Sequence, residues 1–433
     1  MKATEILGFM EQGLYRSHPP ILHGVLFWGR GLGILLLILG LLTVILGITW
    51  RFRLITALAI FAIAVGFLSI LFPDRLFLEW LGFTALVAVI AYGIGAAISS
   101  HRYLKTPVNQ SEIERLRLLY GKNQISCFTG DGIKKSLQAA EGLISYQVCW
   151  GVAVAVGDPL TSFGHNKEAV KAFLGLCDTR HWIPCFFQAD ATLSETYKGL
   201  GFHLFKFGEE ALVDVKCFDI GSPQRADVRH EVARARRANL KETVLRGSDL
   251  DQDIWSEMGE VSKDWLGQRG GWERGFSLGR FELHPNSSII YTIARDQNGK
   301  LQAFCSWIRM GENGLALDLI RRRRNSGPGA VDLCIVTAID KARAEGLLVV
   351  SLGSVPFKDS RKDAVDGYIA HKIREKLYRW GYKGYRYEGL SHFKSRFTTR
   401  WESRDIVLSG GFGSVVALLA VVRLHRVIKK NPE

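Results

Sequence analysis

The sequence predicts an α/β protein: two tandem strand-and-helix units preceded by a short α-helical transmembrane region. Three observations predict it. Charge-free apolar runs crowd the first hundred residues. Beyond residue 110, short apolar or alternating stretches interleave with helical patterns. The 433 residues, at about 150 per domain, provide for roughly three units.

Composition fits this division. Hydrophobic residues make up 47% and charged residues 23%, a mixture expected when membrane and soluble parts share one chain. Residues 1–100 hold six basic residues (Lys2, Arg16, Arg30, Arg51, Arg53, Arg75) and four acidic ones (Glu5, Glu11, Asp74, Glu79). Nearly all of the net charge of +14 therefore belongs to the later region, where 50 basic residues face 38 acidic ones. Such a surface favours polyanions, either nucleic acid or anionic lipid headgroups. The seven cysteines are scattered without a CxxC pair, which reads as reduced thiols and gives no metal site.

Leu32–Trp50 and Leu54–Phe72 are each 19 residues without a charge, and Trp80–Ser99 adds 20. Each is long enough for a hydrocarbon layer of about 30 Å. Arg51 with Arg53, and Pro73-Asp74-Arg75, supply the polar turns, while Trp50 and Trp80 suit the interface. A cleaved signal peptide does not explain three successive spans. With the soluble part in the cytosol, Arg51 and Arg53 obey the positive-inside rule, whereas Lys2, Arg16 and Arg30 run against it.

The soluble region opens on Ser111-Glu112-Ile113-Glu114, a capping-box pattern, with a helix running to Gly121. Strand-like Leu143–Val156, a helix at Lys167–Thr179, and strand-like Pro184–Gln188 and Ala211–Val215 form a first unit. In the second, Ile289–Ala294, Leu301–Ile308 and Leu315–Ile320 read as three strands. They are followed by a helix at Val331–Glu345, a buried strand at Leu347–Leu352 and a helix at Ala364–Trp380. Three antiparallel strands, a loop, a helix and a strand is the order of a GNAT-type acyltransferase core, and two GNAT-like units in tandem account for the length. The expected boundaries are 1–104 for the membrane region, 105–224 and 225–405 for the two units, and 406–433 for a tail. In that tail Ile406–Val422 is apolar but glycine-broken and ends in basic residues, as expected of a helix lying on the membrane or on the domain.

Several motifs bear on chemistry. Arg324-Asn325-Ser326-Gly327-Pro328-Gly329 fits R-x-x-G-x-G at a helix N-terminus, where backbone amides attract a phosphate, though an ordinary glycine turn reads the same way. Before it stands Asp318-Leu319-Ile320-Arg321, continuing as Arg322, Arg323 and Arg324. Strand alternation sends Asp318 and Ile320 to one face and Arg321 to the other, unless the strand ends or bulges at Arg321. A carboxylate there suits a substrate amine, and the arginines suit phosphate. Between Arg225 and Arg246, Val228, Val232 and Ala235 recur at helical spacing, so one face is seated and Arg229, Arg234, Arg236 and Arg237 face outward. Those arginines serve equally as a solvated face or as an RNA-backbone contact. Near the end, Glu388, His392 and Lys394 lie among aromatics, on what spacing alone reads as a surface strand or a phosphate contact.

These residues resemble the C-terminal domain of the bacterial phosphatidylglycerol lysyltransferases, the multiple peptide resistance factor family, and its alanyl relatives. The resemblance runs from about residue 112 to the C-terminus. It rests on Gly157-Asp158-Pro159, Tyr197 with Gly201-Phe202, Gly208-Glu209-Glu210-Ala211 with Val213-Asp214, and the basic stretch Val232–Arg237. It continues through Gly275-Phe276-Ser277-Leu278-Gly279, Asp318-Leu319-Ile320-Arg321, Val350-Ser351-Leu352-Gly353 and Phe393-Lys394-Ser395-Arg396-Phe397 with Trp401 and Arg404. The chain departs from the family with Ala233 in place of an asparagine and with S-G-P-G at Ser326–Gly329.

What the resemblance implies is a tandem GNAT-like enzyme, without CoA or any other cofactor. It would move an amino acid, lysine first with alanine or arginine as alternatives, from aminoacyl-tRNA to the glycerol hydroxyl of phosphatidylglycerol. That chemistry lowers negative membrane charge and confers resistance to cationic antimicrobial peptides. The implied setting is the bacterial inner membrane, multi-pass, with the catalytic region cytoplasmic and an anionic lipid as partner. Asp318 and Arg321 match the family's D-x-x-R pair for catalysis and amino-acid binding, and Lys394 the lysine near the tRNA acceptor end. Arg322, Arg324, Gly327, Gly329, His392 and Glu388 are the expected substrate and phosphate contacts; Arg229, Arg234, Arg236 and Arg237 are the expected tRNA contacts. Arg321 and Lys394 are expected at a phosphate or the oxyanion, and His392, Glu388 or Asp318 as the base. Three spans are too few for the flippase common in relatives. An acyl-CoA-dependent acyltransferase and a noncatalytic scaffold for RNA or anionic lipid are the competing readings.

Overall fold

The computed structural model describes residues 108–130, 132–268, 273, 275–281, 286–358 and 387–425. These residues lie almost wholly within one compact unit, Lys105–Gly410 with Ser414–Glu433. The three apolar spans and the helix expected at Ala364–Trp380 lie outside the described residues. Among the described residues no helix is long and apolar enough to cross a membrane.

The first half runs α1 (Gln110–Tyr120), β1 (Lys135–Ala139), β2 (Gly142–Cys149), β3 (Val152–Val156), α2 (Asn166–Thr179), β4 (Ile183–Asp190), α3 (Ser194–Gly199) and β5 (His203–Asp214). Helix α1 begins one residue before the expected box, and its cap is Asn109, whose side chain accepts from the Ser111 amide. The apolar stretch Leu143–Val156 is two strands, not one. Trp150 and Gly151 both adopt positive φ, 51° and 71°, which turns the chain into a tight hairpin.

The second half runs α4 (Ala226–Arg237), β6 (Lys241–Arg246), α5 (Gln252–Gly267), β7 (Ile290–Arg295), β8 (Leu301–Met310), β9 (Gly314–Arg322), α6 (Ala330–Ala344), β10 (Val349–Pro356), α7 (Tyr387–Ser395), β11 (Arg400–Leu408) and α8 (Gly411–Leu424). The eleven strands among the described residues join one mixed sheet in the order β1-β2-β3-β4-β11-β5-β10-β9-β8-β7-β6. One pattern occurs twice. Three antiparallel strands lead through a helix to a fourth strand parallel to the third: β1-β2-β3-α2-β4 and β7-β8-β9-α6-β10.

Strand β11 lies between β4 and β5, and β5 in turn pairs with β10, so the two halves share their central ladders. The expected boundary at residue 405 falls inside β11, where Ile406, Val407 and Leu408 are buried. A central strand covered on both faces reads as an unbroken apolar run, and only Ser409 and Gly410, the latter at φ 86°, separate it from α8. Helix α8 packs on the domain through Ala417, Leu418, Ala420 and Val421, alongside Val154, Phe187 and Phe205. Helices α4 and α6 cover one face of the second half, and α5 covers the other with Trp255, Met258 and Val261 against Tyr291 and Phe304.

Candidate functional site

Strands β9 and β10 pair only from Val349↔Gly314 to Ser351↔Ala316, although both continue well beyond. Past those residues they diverge. The gap is bridged from the first half by the 3-10 turn Gln124–Phe128. The Gln124 side-chain amide donates to the Leu317 carbonyl, and its backbone N–H donates to Glu210 Oε1 at 2.9 Å. Gly353, at φ 84°, makes the approach possible, since a Cβ there would stand 2.4 Å from Gln124 Oε1.

Asp318 stands beside this gap because β9 bulges. Leu319 pairs with Ser306 and Leu317 with Trp307, leaving Asp318 as the extra residue. The Ser306 hydroxyl donates to Asp318 Oδ2 at 2.7 Å and accepts from the Leu319 amide at 3.0 Å. The bulge overturns the expected alternation: Asp318 turns to the α5 face, which Arg321 shares. There it meets the Gly275–Phe281 segment, where a Cβ on Gly279 would fall 1.8 Å from Asp318 Oδ1. Only glycine leaves room for the carboxylate.

Arg321 is 4% exposed. Its guanidinium is engaged by Glu273 Oε2 at 2.8 Å and Ser262 Oγ at 3.2 Å, and lies 4.2 Å from the Trp265 ring centroid. Those partners turn its donors towards the cover of the site. Glu273 also accepts from the Phe281 amide at 3.3 Å, tying that end of the covering segment to Arg321.

On the far side of the gap, Lys394 reaches in from α7. Its Nζ donates to the Ser354 carbonyl on β10 at 3.1 Å, and the residue is 7% exposed. Lys394 is thus the end of a helix packed on the sheet, not part of the surface strand that spacing allowed. Burial pushes its amine down to about 7, against the pull of the Glu210 carboxylate, which favours the charged form. Glu210 and Arg404 are each 1% exposed and paired at 2.7 Å; Ser351 Oγ also donates to Glu210. Burial works against the Arg404 charge, but Glu210 and Asp190 hold its pKa above the ordinary range.

The first half carries the same parallel pair without the gap. Its pairing β3/β4 is prolonged by Gly157 N–H donating to Phe187 O at 2.9 Å. Asp158 then accepts from the Asp190 amide and the Tyr197 hydroxyl, each at 2.8 Å. Burial raises the Asp158 carboxyl to about 7 despite these bonds. Both its oxygens are spent on closing the pair. Glu210, Ser351 and Arg404 lie in the family-like stretches, Gln124 carries no such signal, and no charge spacing marks the four as one cluster.

The glycine loop before α6 does a packing job. A Cβ on Gly327 would touch Leu240 Cδ1 at 3.0 Å, and one on Gly329 would lie 2.1 Å from the Glu231 carbonyl of α4. The first turn of α6 also holds the buried Asp332 carboxylate, 2.8 Å from Arg396. At this helix N-terminus the glycines allow close approach to Leu240 and helix α4, with the Asp332 carboxylate nearby. Arg322 and Arg324 stay exposed nearby; Arg323 pairs with Glu260. On α4, Arg229, Arg234, Arg236 and Arg237 are all exposed, with Arg234 near Glu231 and Arg236 near Glu242. His392 is exposed on α7, and the Glu388 side chain lies outside the described residues.

Among the described residues, a mixed sheet with a repeated parallel pair, one copy stitched shut and the other opened beside a carboxylate and a buried amine, defines an α/β protein with a central candidate site. Residues 120–407 match the family described as phosphatidylglycerol lysyltransferase, C-terminal, and the chain belongs to that family. It is 31% identical over 260 residues to the lysylphosphatidylglycerol biosynthesis bifunctional protein LysX of Mycobacterium avium, covering 59% of this chain and 22% of that one. The LysX of Mycobacterium tuberculosis strain H37Rv is 28% identical over 326 residues, covering 72% and 28%. The chain thus matches about a quarter of the length of these curated relatives. Among solved structures, the C-terminal domain assigned to a lysylphosphatidylglycerol synthetase from Agrobacterium fabrum superposes with a TM-score of 0.64 at 25% identity, over 73% of this chain and 98% of that one. The L-PGS of Bacillus licheniformis gives 0.65 at 22%, over 75% and 98%, a likeness of fold.

Proposed function

We propose that the chain is a tRNA-dependent aminoacyltransferase that transfers lysine, or alanine or arginine, from aminoacyl-tRNA to a glycerol hydroxyl of phosphatidylglycerol. The observation that carries this is the opened β9/β10 pair, with Asp318 on one bank and the buried Lys394 amine on the other. The reading takes the two repeated patterns as tandem GNAT-like units, the second catalytic. It places the protein at the bacterial inner membrane, anchored by the apolar N-terminal spans, with the catalytic region cytoplasmic.

Asp318 receives the ammonium of the amino acid on its carboxylate, which Ser306 orients. The glycerol oxygen attacks the aminoacyl carbonyl carbon, and the bond to the terminal ribose oxygen of the tRNA breaks. Lys394 accepts the glycerol proton and returns it to that ribose oxygen, so no net charge or proton is left over. An amine near 7 is matched to both halves of that transfer at neutral pH. Lys394 thereby replaces His392, Glu388 and Asp318 as the base. Ester-to-ester exchange is close to isoenergetic, and positioning of two anionic substrates supplies most of the rate. The exposed arginines of α4 with Arg322 and Arg324 suit the tRNA backbone, and the product carries less negative charge, consistent with resistance to cationic peptides.

The acyl-CoA alternative has less support, because the Asp332 carboxylate and helix α4 stand close to the N-terminal turn of α6. Incubating the membrane-reconstituted chain with phosphatidylglycerol and labelled lysyl-, alanyl- or arginyl-tRNA tests the proposal. A new ninhydrin-positive phospholipid, abolished by RNase and by Asp318→Ala, is expected. Failure with all three donors would overturn it, and RNase-insensitive transfer from acyl-CoA would favour the alternative.

A further inference from the structure

We infer that the end of the C-terminal helix is part of the amino-acid pocket's machinery: His425 is a positioning residue that clasps the Gly275–Phe281 segment over Asp318. The inference rests on the reading of Asp318 as the ammonium site.

The segment is held in an unfavourable shape. Phe276 has φ 67°, rare for an aromatic residue, and the Ser277 amide donates to the Gly275 carbonyl at 3.0 Å, closing a three-residue turn. A backbone of this kind persists only where its surroundings over-determine it. Here those surroundings come from elements far apart in sequence. The Phe276 ring packs against Phe187 of β4 at 5.7 Å and edge-on against His425 at 5.0 Å, and His425 also lies 4.8 Å from Phe187. Phe276 and Ser277 are 5% and 6% exposed.

Hydrogen bonding then fixes the direction of the clasp. His425 Nδ1 lies 2.7 Å from the Val421 carbonyl, which can only accept, so Nδ1 carries the proton. In the neutral ring Nε2 is then the acceptor for the Ser277 hydroxyl, 2.7 Å away. Two residues beyond Ser277, Gly279 presses on Asp318 Oδ1 without room for a methyl group. Two fasteners therefore hold the cover: Glu273 with Arg321 at the sheet, and Ser277 with His425 at α8. The second sets how closely the cover sits on the carboxylate, and so which amino-acid side chains fit beside it.

The full chain in phosphatidylglycerol-containing micelles provides the test, with Ser277→Ala, His425→Phe, the double variant and Ser277→Thr. His425→Phe keeps the ring between Phe187 and Phe276 while removing the acceptor. Amide exchange of residues 275–281 is expected to quicken by roughly tenfold in either single variant and no further in the double. KM for the aminoacyl donor should rise about tenfold with kcat within about twofold, discrimination among lysyl, alanyl and arginyl donors should narrow, and Thr should restore both. Unchanged exchange in both single variants overturns the clasp, as does a fall in kcat with KM unaltered. Exchange is read without turnover, so a wild-type chain that transferred nothing would sink the proposed function and leave the clasp to be judged separately.

Discussion

Replacing Lys394 with methionine should make the protein more stable and inactive. Burial holds the Lys394 amine at about 7 rather than 10.5. A lysine whose folded pKa is lowered destabilises the fold wherever its unfolded form is charged. The penalty is complete below about pH 7, shrinks as pH rises from 7 to 10.5, and is absent above 10.5. At about 1.36 kcal/mol per unit, the interval from 10.5 to 7 amounts to about 5 kcal/mol in the acid limit. Methionine has similar volume and no charge, but forfeits the bond to the Ser354 carbonyl, about 1 kcal/mol. Lys394→Met should therefore gain about 3–4 kcal/mol at pH 6, lose about 1.4 kcal/mol of that gain per unit above pH 7, and show no gain near pH 10.5. Urea unfolding of the full chain in micelles at pH 6, 8 and 10, followed by tryptophan fluorescence, measures this. A difference independent of pH, or destabilisation at pH 6, would refute the claim that a buried, discharged amine sits at this position.

Other perturbations separate the parts of the site. Glu210→Gln removes the carboxylate that favours charge on Lys394, so the acid limb of the pH–rate profile should move down by about one unit; a stopped-flow or steady-state profile reads it. The same change leaves Arg404 with weaker partners and should cost about 3–5 kcal/mol in unfolding experiments. Gly279→Ala forces a methyl group onto Asp318 and should cut kcat/KM about a hundredfold while the melting midpoint changes little. By contrast, Gly329→Ala, at φ 70° and against the Glu231 carbonyl, should cost about 2–4 kcal/mol of stability with the donor KM unchanged. Charge reversal at Arg236 and Arg237 should weaken tRNA binding and flatten its salt dependence by about one unit of slope per lost contact, as filter binding across salt concentrations would show.

Much of the frame was legible because periodicity is local. The helices at α2 and α6 and the strands β4, β7, β8 and β9 begin and end within a few residues of the stretches that hydrophobic pattern marks. Non-local pairing was not legible. Nothing in Ile406–Leu408 says that this run enters the sheet between β4 and β5, and the Trp150-Gly151 turn has no Asn or Asp to announce it. At the site, Asp318 and Lys394 carried their own chemical signal. The bulge that swings Asp318 to the α5 face did not, because it depends on the partner strand, where the Ser306 hydroxyl takes over the Leu319 amide. The glycines of Gly327–Gly329 are ambiguous for a related reason: the same residue type serves close approach to a phosphate and close approach to a helix, and only the neighbour tells them apart.

The two parallel pairs explain why one chain carries two copies of a pattern and one candidate site. In each copy an aspartate stands near the point where the third strand leaves its parallel partner. Asp158 lies two residues beyond β3, and the Asp190 amide and Tyr197 hydroxyl occupy both its oxygens. It binds the chain's own donors and keeps the strands together. Asp318 lies within β9 after pairing with β10 has ceased, with Ser306 on one oxygen and a hydrogen-only glycine beside the other. The difference is one of setting. Asp158 is committed to joining two strands, whereas Asp318 is half-buried beside a gap that a second chain segment bridges. Gln124 provides that bridge from the first half, joining Leu317 to Glu210 and so to the Arg404 cluster beside Lys394. The closed copy thus supplies the rigid element against which the open copy holds its site. Cutting the chain between residues 224 and 225 would remove Gln124 and Glu210 from the site together, so the second unit alone should lose activity even where it retains Asp318, Arg321 and Lys394.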